Sequence, residues 1–446
     1  NLRRTRMRQP RRTALIALAL LAVAILVSGG TGTWSALSAT TANGPVSLSA
    51  TADWTAPTVS ASVIAHSSKG PGVGAGRTYN VYANVTDSGN PASGVSTVTA
   101  NVGSITSGST AVALTSCSSS CTVNGVTYAY KSAQLTAGSG LAAGSVSYTV
   151  TSNDVAGNAG SATGFSVTAD NTLPTVSAAV VAHATAGAAI KQGGTYVVYA
   201  NASDGGSGVD TVSADVSSIT TGQSAVALTS CSSSCTVGAT TYGYKSAQLT
   251  ANSSLSGTKT FTITATDAAG NPSSATSFNT TVDNTAPTAT DVQTKNNGAT
   301  VGKPELGDSI TLTRSEQMDP NSVLAGWTGA STNVVVRIAN SGGNDIVTFW
   351  NSTNTTQLPL GSVNLGTSGY VTSGTTVTFG ATGTASTLVQ SGANWTITLG
   401  TPSATPKTVT TKSTMIWTPS TTPTDLAGNS ATGATATESG VSDVEF

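Results

Sequence analysis

The four cysteines of this chain stand as two copies of Cys-Ser-Ser-Ser-Cys, Cys117 with Cys121 and Cys231 with Cys235, each inside the same phrase "AVALTSCSSSCTV". Two cysteines separated by three serines can close a tight hairpin, their positions facing each other across a three-residue loop. A structural zinc centre needs four ligands, and Cys-x3-Cys with no second pair and no nearby His offers two per copy. The spacing therefore predicts two local disulfides, Cys117–Cys121 and Cys231–Cys235, formed in an oxidising compartment. Closing so small a loop removes little chain entropy, so each bridge is expected to contribute less than the roughly 3 kcal/mol of a 15-residue loop. It pins a loop tip more than it holds a domain.

The remaining reactive side chains are few. The two histidines, His66 and His183, occupy the same place in "VIAH" and "VVAH", which predicts a structural role repeated in two copies. No Gly-x-Ser-x-Gly elbow, His-Glu-x-x-His helix or phosphate-binding Gly-x-x-x-x-Gly-Lys loop occurs. "GPGVGAG", residues 70–76, precedes a strand without a following Lys-Ser or Lys-Thr and reads as a flexible loop. The best polar constellations are three Asp-x-Ala-Gly-Asn phrases at Asp154, Asp267 and Asp425. Each aspartate can accept hydrogen bonds from its own turn while Gly157, Gly270 and Gly428 supply positive φ. The rival reading is a calcium site bridging turns at module junctions with Asp170 or Asp283, since Ca²⁺ takes carboxylate, amide and carbonyl oxygens. No dense aspartate run supports it. Glu316 and Asp319 read as a solvated loop rather than an acid/base pair. No catalytic residue is predicted, no cofactor is required, and the chain is expected to be non-enzymatic.

The elements that must position these residues follow from an internal repeat. "DWTAPT" at 53–58, "DNTLPT" at 170–175 and "DNTAPT" at 283–288 open three modules, and an Asp-x-Ala-Gly-Asn phrase stands near the end of each. The first two modules are close copies, and the third is longer and diverged. Period-two alternation marks strands: Tyr79, Val81, Ala83 and Val85 share one face, as do Tyr196, Val198, Ala200 and Ala202, and later Trp395, Ile397 and Leu399. Val146, Tyr148 and Val150 correspond to Phe261 and Ile263 of the next copy. Outside residues 14–27 no segment keeps a 3.6-residue apolar spacing. The fold class is all-β, with antiparallel sandwiches of about 100 residues each.

Those opening phrases, the "SDGGSGV" turn at 203–209 and the closing Asp-x-Ala-Gly-Asn together resemble tandem Ig-like domains of bacterial surface proteins. The third module, with "DSITLTRSEQMDPNSV", is similar to Ig-like modules of S-layer-type and cyanobacterial motility proteins, with Arg314 standing where that phrase usually has Phe. The resemblance implies Ig-like domains at 53–172, 173–285 and 286–446, an extracellular or cell-surface location, and no particular activity.

Six arginines followed by an apolar run at 14–27 have the form of a secretory signal, and the run is short of the roughly 20 residues that span a bilayer. "GGTGTWSALSA" resembles the signal region of bacterial surface and biofilm-matrix proteins processed by a dedicated signal peptidase. Residues 1–36 are thus expected to be a signal peptide, with a retained membrane anchor as the alternative, and 37–52 a linker. Charged residues make up 8% of the chain and the formal net charge is -1, which excludes the basic footprint of nucleic-acid binding. The membrane is met only through the N-terminal segment. Pro174 and Pro287 fix their own φ and push Leu173 and Ala286 toward extended backbone, so short, stiff linkers and a semi-extended rod are expected.

The function expected is structural or adhesive, toward a protein or polysaccharide component of the envelope or matrix. The alternative is a cell-wall or polysaccharide-binding accessory module, which exposure of Trp327, Trp350 and Tyr370 would favour. Export predicts that the secreted protein begins close to Leu37, which N-terminal sequencing of culture supernatant checks; an intact leader recovered from membranes would restore the anchor.

Overall fold

Alternation in the sequence becomes burial in the structure, a computed structural model that describes residues 53–446 except 161, 234 and 341. The expected signal peptide and linker, residues 1–52, lie outside the described residues. In the strand Thr78–Thr86 the side chains of Tyr79, Val81, Ala83 and Val85 are buried, and Tyr196, Val198 and Ala200 repeat the pattern in Thr195–Ser203. The described residues divide into two compact units, one built from 53–171 with 268–270, the other from the remainder.

The first sheet is antiparallel throughout. Its order is Thr58–Ala65, Thr78–Thr86, Tyr130–Ser132, Val112–Ser116, Val95–Asn101, Gly144–Asp154 and Thr163–Ala169. The sheet folds over so that its first strand packs back against its last two, enclosing Ile64, Val73, Tyr79, Val98, Tyr148 and Val150 in an Ig-like sandwich. The second sheet repeats this order from Thr175–Ala182 to Thr276–Val282. All three first strands carry a register shift at the same place, after Val59, Val176 and Ala289, which bends the strand as it enters the sheet. Outward faces are lined by hydroxyls, with cross-strand pairs such as Thr99 with Thr151 at 2.8 Å between Oγ1 atoms.

The cysteines are bonded as Cys117–Cys121 and Cys231–Cys235. Their geometry is not the three-residue hairpin the spacing suggests. Cys117 N–H donates to Ala129 O at 2.8 Å and Tyr128 N–H donates to Cys121 O at 2.9 Å, so both cysteines sit on the same arm of a longer hairpin. The bridge gathers excess chain within that arm. The hairpin turns at Asn124-Gly125, whose φ values of 48° and 77° are those of a type I′ turn. This turn carries Val123 and Tyr128 onto the outer face of the sheet, where they bury Tyr82 and Ala65 in a second small core. That face is not the purely polar one the alternation suggests. The "GPGVGAG" segment is also no flexible loop: Gly72 N–H reaches Ile64 O, Val73 is wholly buried, and Asp170 N–H donates to Val73 O at 3.1 Å.

The third module has a ten-stranded sheet running from Ala289–Lys295 to Ala436–Thr437, with a single helical turn at Pro320–Val323 capped by Asp319. Its core holds Phe349, Phe379, Tyr370, Trp395 and Trp417. Among them lies Arg314, only 2% exposed, its guanidinium 5.3 Å from the Trp395 ring and 4.6 Å from that of Trp417. Its flat guanidinium stacks on the indole faces of this aromatic core. One nitrogen donates to Ser420 O at 3.3 Å, while Nε and Nη1 are buried without partners. Burial lowers its pKa to about 10.

Two orphaned donors weigh against two cation–π contacts, and desolvation of a buried charge is the larger effect. Arg314→Met is therefore expected to melt at or above the wild-type temperature, whereas Arg314→Ala, which opens a cavity, should destabilise the module by about 2–4 kcal/mol. Calorimetry on both variants checks the order; a less stable Arg314→Met would show that stacking dominates.

Candidate functional site

The Asp-x-Ala-Gly-Asn phrases form tight turns at the end of a long strand. In the first, Asp154 Oδ1 accepts from Asn158 N–H and Oδ2 from Asn158 Nδ2, both at 2.7 Å. In the second, Asn271 gives Asp267 the same pair at 2.7 and 2.8 Å. In the third, Asn429 gives Asp425 the pair at 2.8 Å each. The glycine before each asparagine has φ between 90° and 95°, as the turn requires. What the sequence reading left out is the second hydrogen bond of the asparagine amide. Asn158 Nδ2 also donates to Asp53 O at 2.7 Å, and Asn429 Nδ2 to Asp283 O at 2.9 Å. The opening phrase of each of these modules is thus held by its closing turn.

This closure crowds carboxylates. One oxygen each from Asp53, Asp87 and Asp154 lies within 4.8 Å of the others, and the same holds for Asp283, Glu316 and Asp425. Backbone donors quiet the first group. Thr55 N–H and Ser93 N–H hold Asp53 below the usual carboxylate range, and Asp87 accepts from Gly89 N–H and Gly94 N–H. The second group is less well served. Burial, and after it the Asp283 carboxylate, push Glu316 up to about 7. Oxygen-only sets of this spread could hold a calcium-class cation, not a zinc ion.

Glu316 and Asp319 are accordingly not a solvated loop. Glu316 is drawn to Asp283 and Asp425, while Asp319 is buried, accepts from Asn321 N–H at 3.1 Å and has its pKa raised by burial. Nothing pairs the two as acid and base.

The histidines are structural. His66 Nδ1 lies 2.7 Å from Thr78 O and His183 Nδ1 lies 2.8 Å from Thr195 O. A carbonyl oxygen only accepts, so Nδ1 carries the proton in both. The His183 ring also covers Gly428, where an added Cβ would come within 2.7 Å of Nε2. The aromatic residues that could form a sugar platform are engaged. Trp327 and Tyr370 are buried, and Trp350 is half-buried beneath the Arg337 guanidinium at 3.5 Å with its Nε1 donating to Thr348. One shallow depression, lined by Lys303, Glu305, Leu306, Pro402 and Pro406, holds the ion pair Lys303–Glu305 at 2.9 Å and no nucleophile–base pair. Among the described residues no helix is long and apolar enough to cross a membrane.

No protein-family model matches the chain, and no curated protein does. Among solved structures it is similar to the fibronectin(III)-like modules of Clostridium thermocellum CbhA, with 15% identity over 51% of this chain and 93% of that one and a TM-score of 0.24. Domains A168–A170 of titin align at 10% identity over 79% and 99%, with a TM-score of 0.19. Bacteroides ovatus SGBP-B in complex with a mixed-linkage heptasaccharide aligns at 14% identity over 73% and 72%, with a TM-score of 0.14.

The raised Glu316 has a measurable consequence. Its folded pKa of about 7 exceeds the ordinary 4.5, so the native state binds this proton more tightly than the unfolded chain. The stability it contributes is full below about pH 4.5 and is lost as pH rises through about 7. In chelator, Glu316→Gln should remove that share of the decline and melt higher than wild type at pH 8. Identical pH profiles of melting temperature would reject the assignment.

Proposed function

We propose that this chain is a non-enzymatic structural or adhesive element, working outside the cell or at its surface as a series of Ig-like modules that meet a component of the envelope or matrix. The observation that carries the reading is the engagement of Trp327, Trp350 and Tyr370, which leaves the third module without an aromatic platform for a sugar ring. Two disulfides suit an oxidising, extracytoplasmic setting. The reactive residues serve turns: aspartates accept from backbone N–H groups, and both histidines brace a neighbouring carbonyl.

Labelled protein offered to intact cells, isolated cell wall and soluble polysaccharides tests this. Retention on cells or matrix is expected without saturable binding to polysaccharide, and Trp350→Ala should leave retention unchanged. Saturable polysaccharide binding abolished by Trp350→Ala would replace this reading with a carbohydrate-binding module.

A further inference from the structure

We propose that Glu438, Asp443 and Glu445 form a site for a calcium-class divalent cation at the closing edge of the third sheet, separate from the Asp-x-Ala-Gly-Asn turns. The three acids come from "ESGVSDVEF", the stretch that follows the strand Ala436–Thr437. Hydrogen bonds set each one. Glu438 N–H donates to Met415 O, and Glu438 Oε2 accepts from Met415 N–H, both at 3.0 Å. Ser413 N–H donates to Asp443 O at 2.9 Å. The chain then crosses to the first strand, where Thr294 Oγ1 donates to Glu445 Oε2 at 2.8 Å and Tyr370 OH reaches Glu445 O at 3.3 Å.

One oxygen from each acid lies within 4.8 Å of the other two. Glu445 is 0% exposed, and its Oε1 is buried with no hydrogen-bond donor. Among the described residues none of the three meets Lys, Arg or His in an ion pair; the Lys303–Glu305 pair lies elsewhere. A buried carboxylate oxygen without a donor is costly unless a cation or a proton reaches it.

A proton shared between Glu438 and Glu445 would compensate one oxygen–oxygen contact. Three oxygens from three residues bracket a common point instead, and their separations are no more than about twice the 2.3–2.6 Å of a Ca²⁺–oxygen bond. Asp443 is exposed, so water can complete the six to eight positions that calcium takes. Mg²⁺ demands a tighter octahedron and keeps most of its waters, and an all-oxygen set does not select zinc. Burial pushes Glu445 up to about 8, with repulsion from Glu438 and Asp443 adding to it; a bound cation would reverse that direction. An ion here ties the last residues to the segment around Met415 and to the strand Ala289–Lys295.

The full chain, stripped with chelator, is titrated with CaCl₂ by calorimetry and with Tb³⁺ under tyrosine excitation, Tyr370 serving as the adjacent sensitiser. Calcium at millimolar level should raise the melting temperature at pH 7.5. Glu445→Gln should lose one bound equivalent and its part of the thermal shift, Asp443→Asn should bind about tenfold more weakly or worse, and Glu316→Gln should keep this equivalent. The same stoichiometry and thermal shift in wild type and Glu445→Gln would overturn the proposal. So would a wild-type melting temperature that ignores calcium together with a rise on acidification that persists in Glu316→Gln and disappears in Glu445→Gln, the mark of a shared proton. If Glu445→Gln does not fold, the exposed Asp443→Asn decides alone.

Discussion

A side-chain amide determines where the first and third modules begin. Asn158 and Asn429 each divide one NH₂ group between the aspartate of their own turn and the backbone carbonyl of the module's opening aspartate. That carbonyl stands just before the first strand, whose register shift bends it over the sheet. The same closure forces acids together. In the first module backbone N–H groups absorb the crowding, and Asp53 stays readily ionised. In the third, Glu316 joins Asp283 and Asp425 with too few donors, and its proton is held instead. One hydrogen-bond scheme therefore produces a quiet site or a tense one, depending on which residue stands third.

The sandwich was legible because half-buried strands write their inner face at every second position, as Tyr79, Val81, Ala83 and Val85 do. The cysteine pairing was legible too, since both partners lie in one short phrase. The hairpin around it was misread although Asn124-Gly125, a strong turn signal, stood in view; the cysteines drew the turn to themselves. Other residues were opaque for a physical reason. Val73 packs into the core and pairs with the segment around Asp170, and Glu316 meets Asp283 and Asp425, contacts that join separate parts of the chain. Arg314 was visible as a departure from Phe, but the two indoles that receive it come from strands far along the sequence. Glu438, Asp443 and Glu445 form no recognisable motif in sequence, and only the sheet brings their oxygens together.

Charge is used sparingly and inwardly here. Of 446 residues, 18 are Lys or Arg and 19 are Asp or Glu, yet Asp53, Asp154, Asp308, Arg314, Asp345, Asp425 and Glu445 are all buried. Placing scarce charges inside gives them specific partners, such as turns and indole faces, at the expense of desolvation. The hydrophobic cores must offset that, and the third module has the larger aromatic core to do so.

The hydroxyl-lined outer faces have a consequence for the medium in which the protein works. Interaction between exposed charges weakens as ionic strength shrinks the Debye length, about 8 Å under physiological conditions. A surface of paired threonines such as Thr99 with Thr151 and Thr122 with Thr127 offers that screening very little to act upon. Its solubility and its contacts depend on hydrogen-bonding capacity, which dilute water and brine both preserve. The outer surface is therefore one that changes little between fresh and saline surroundings.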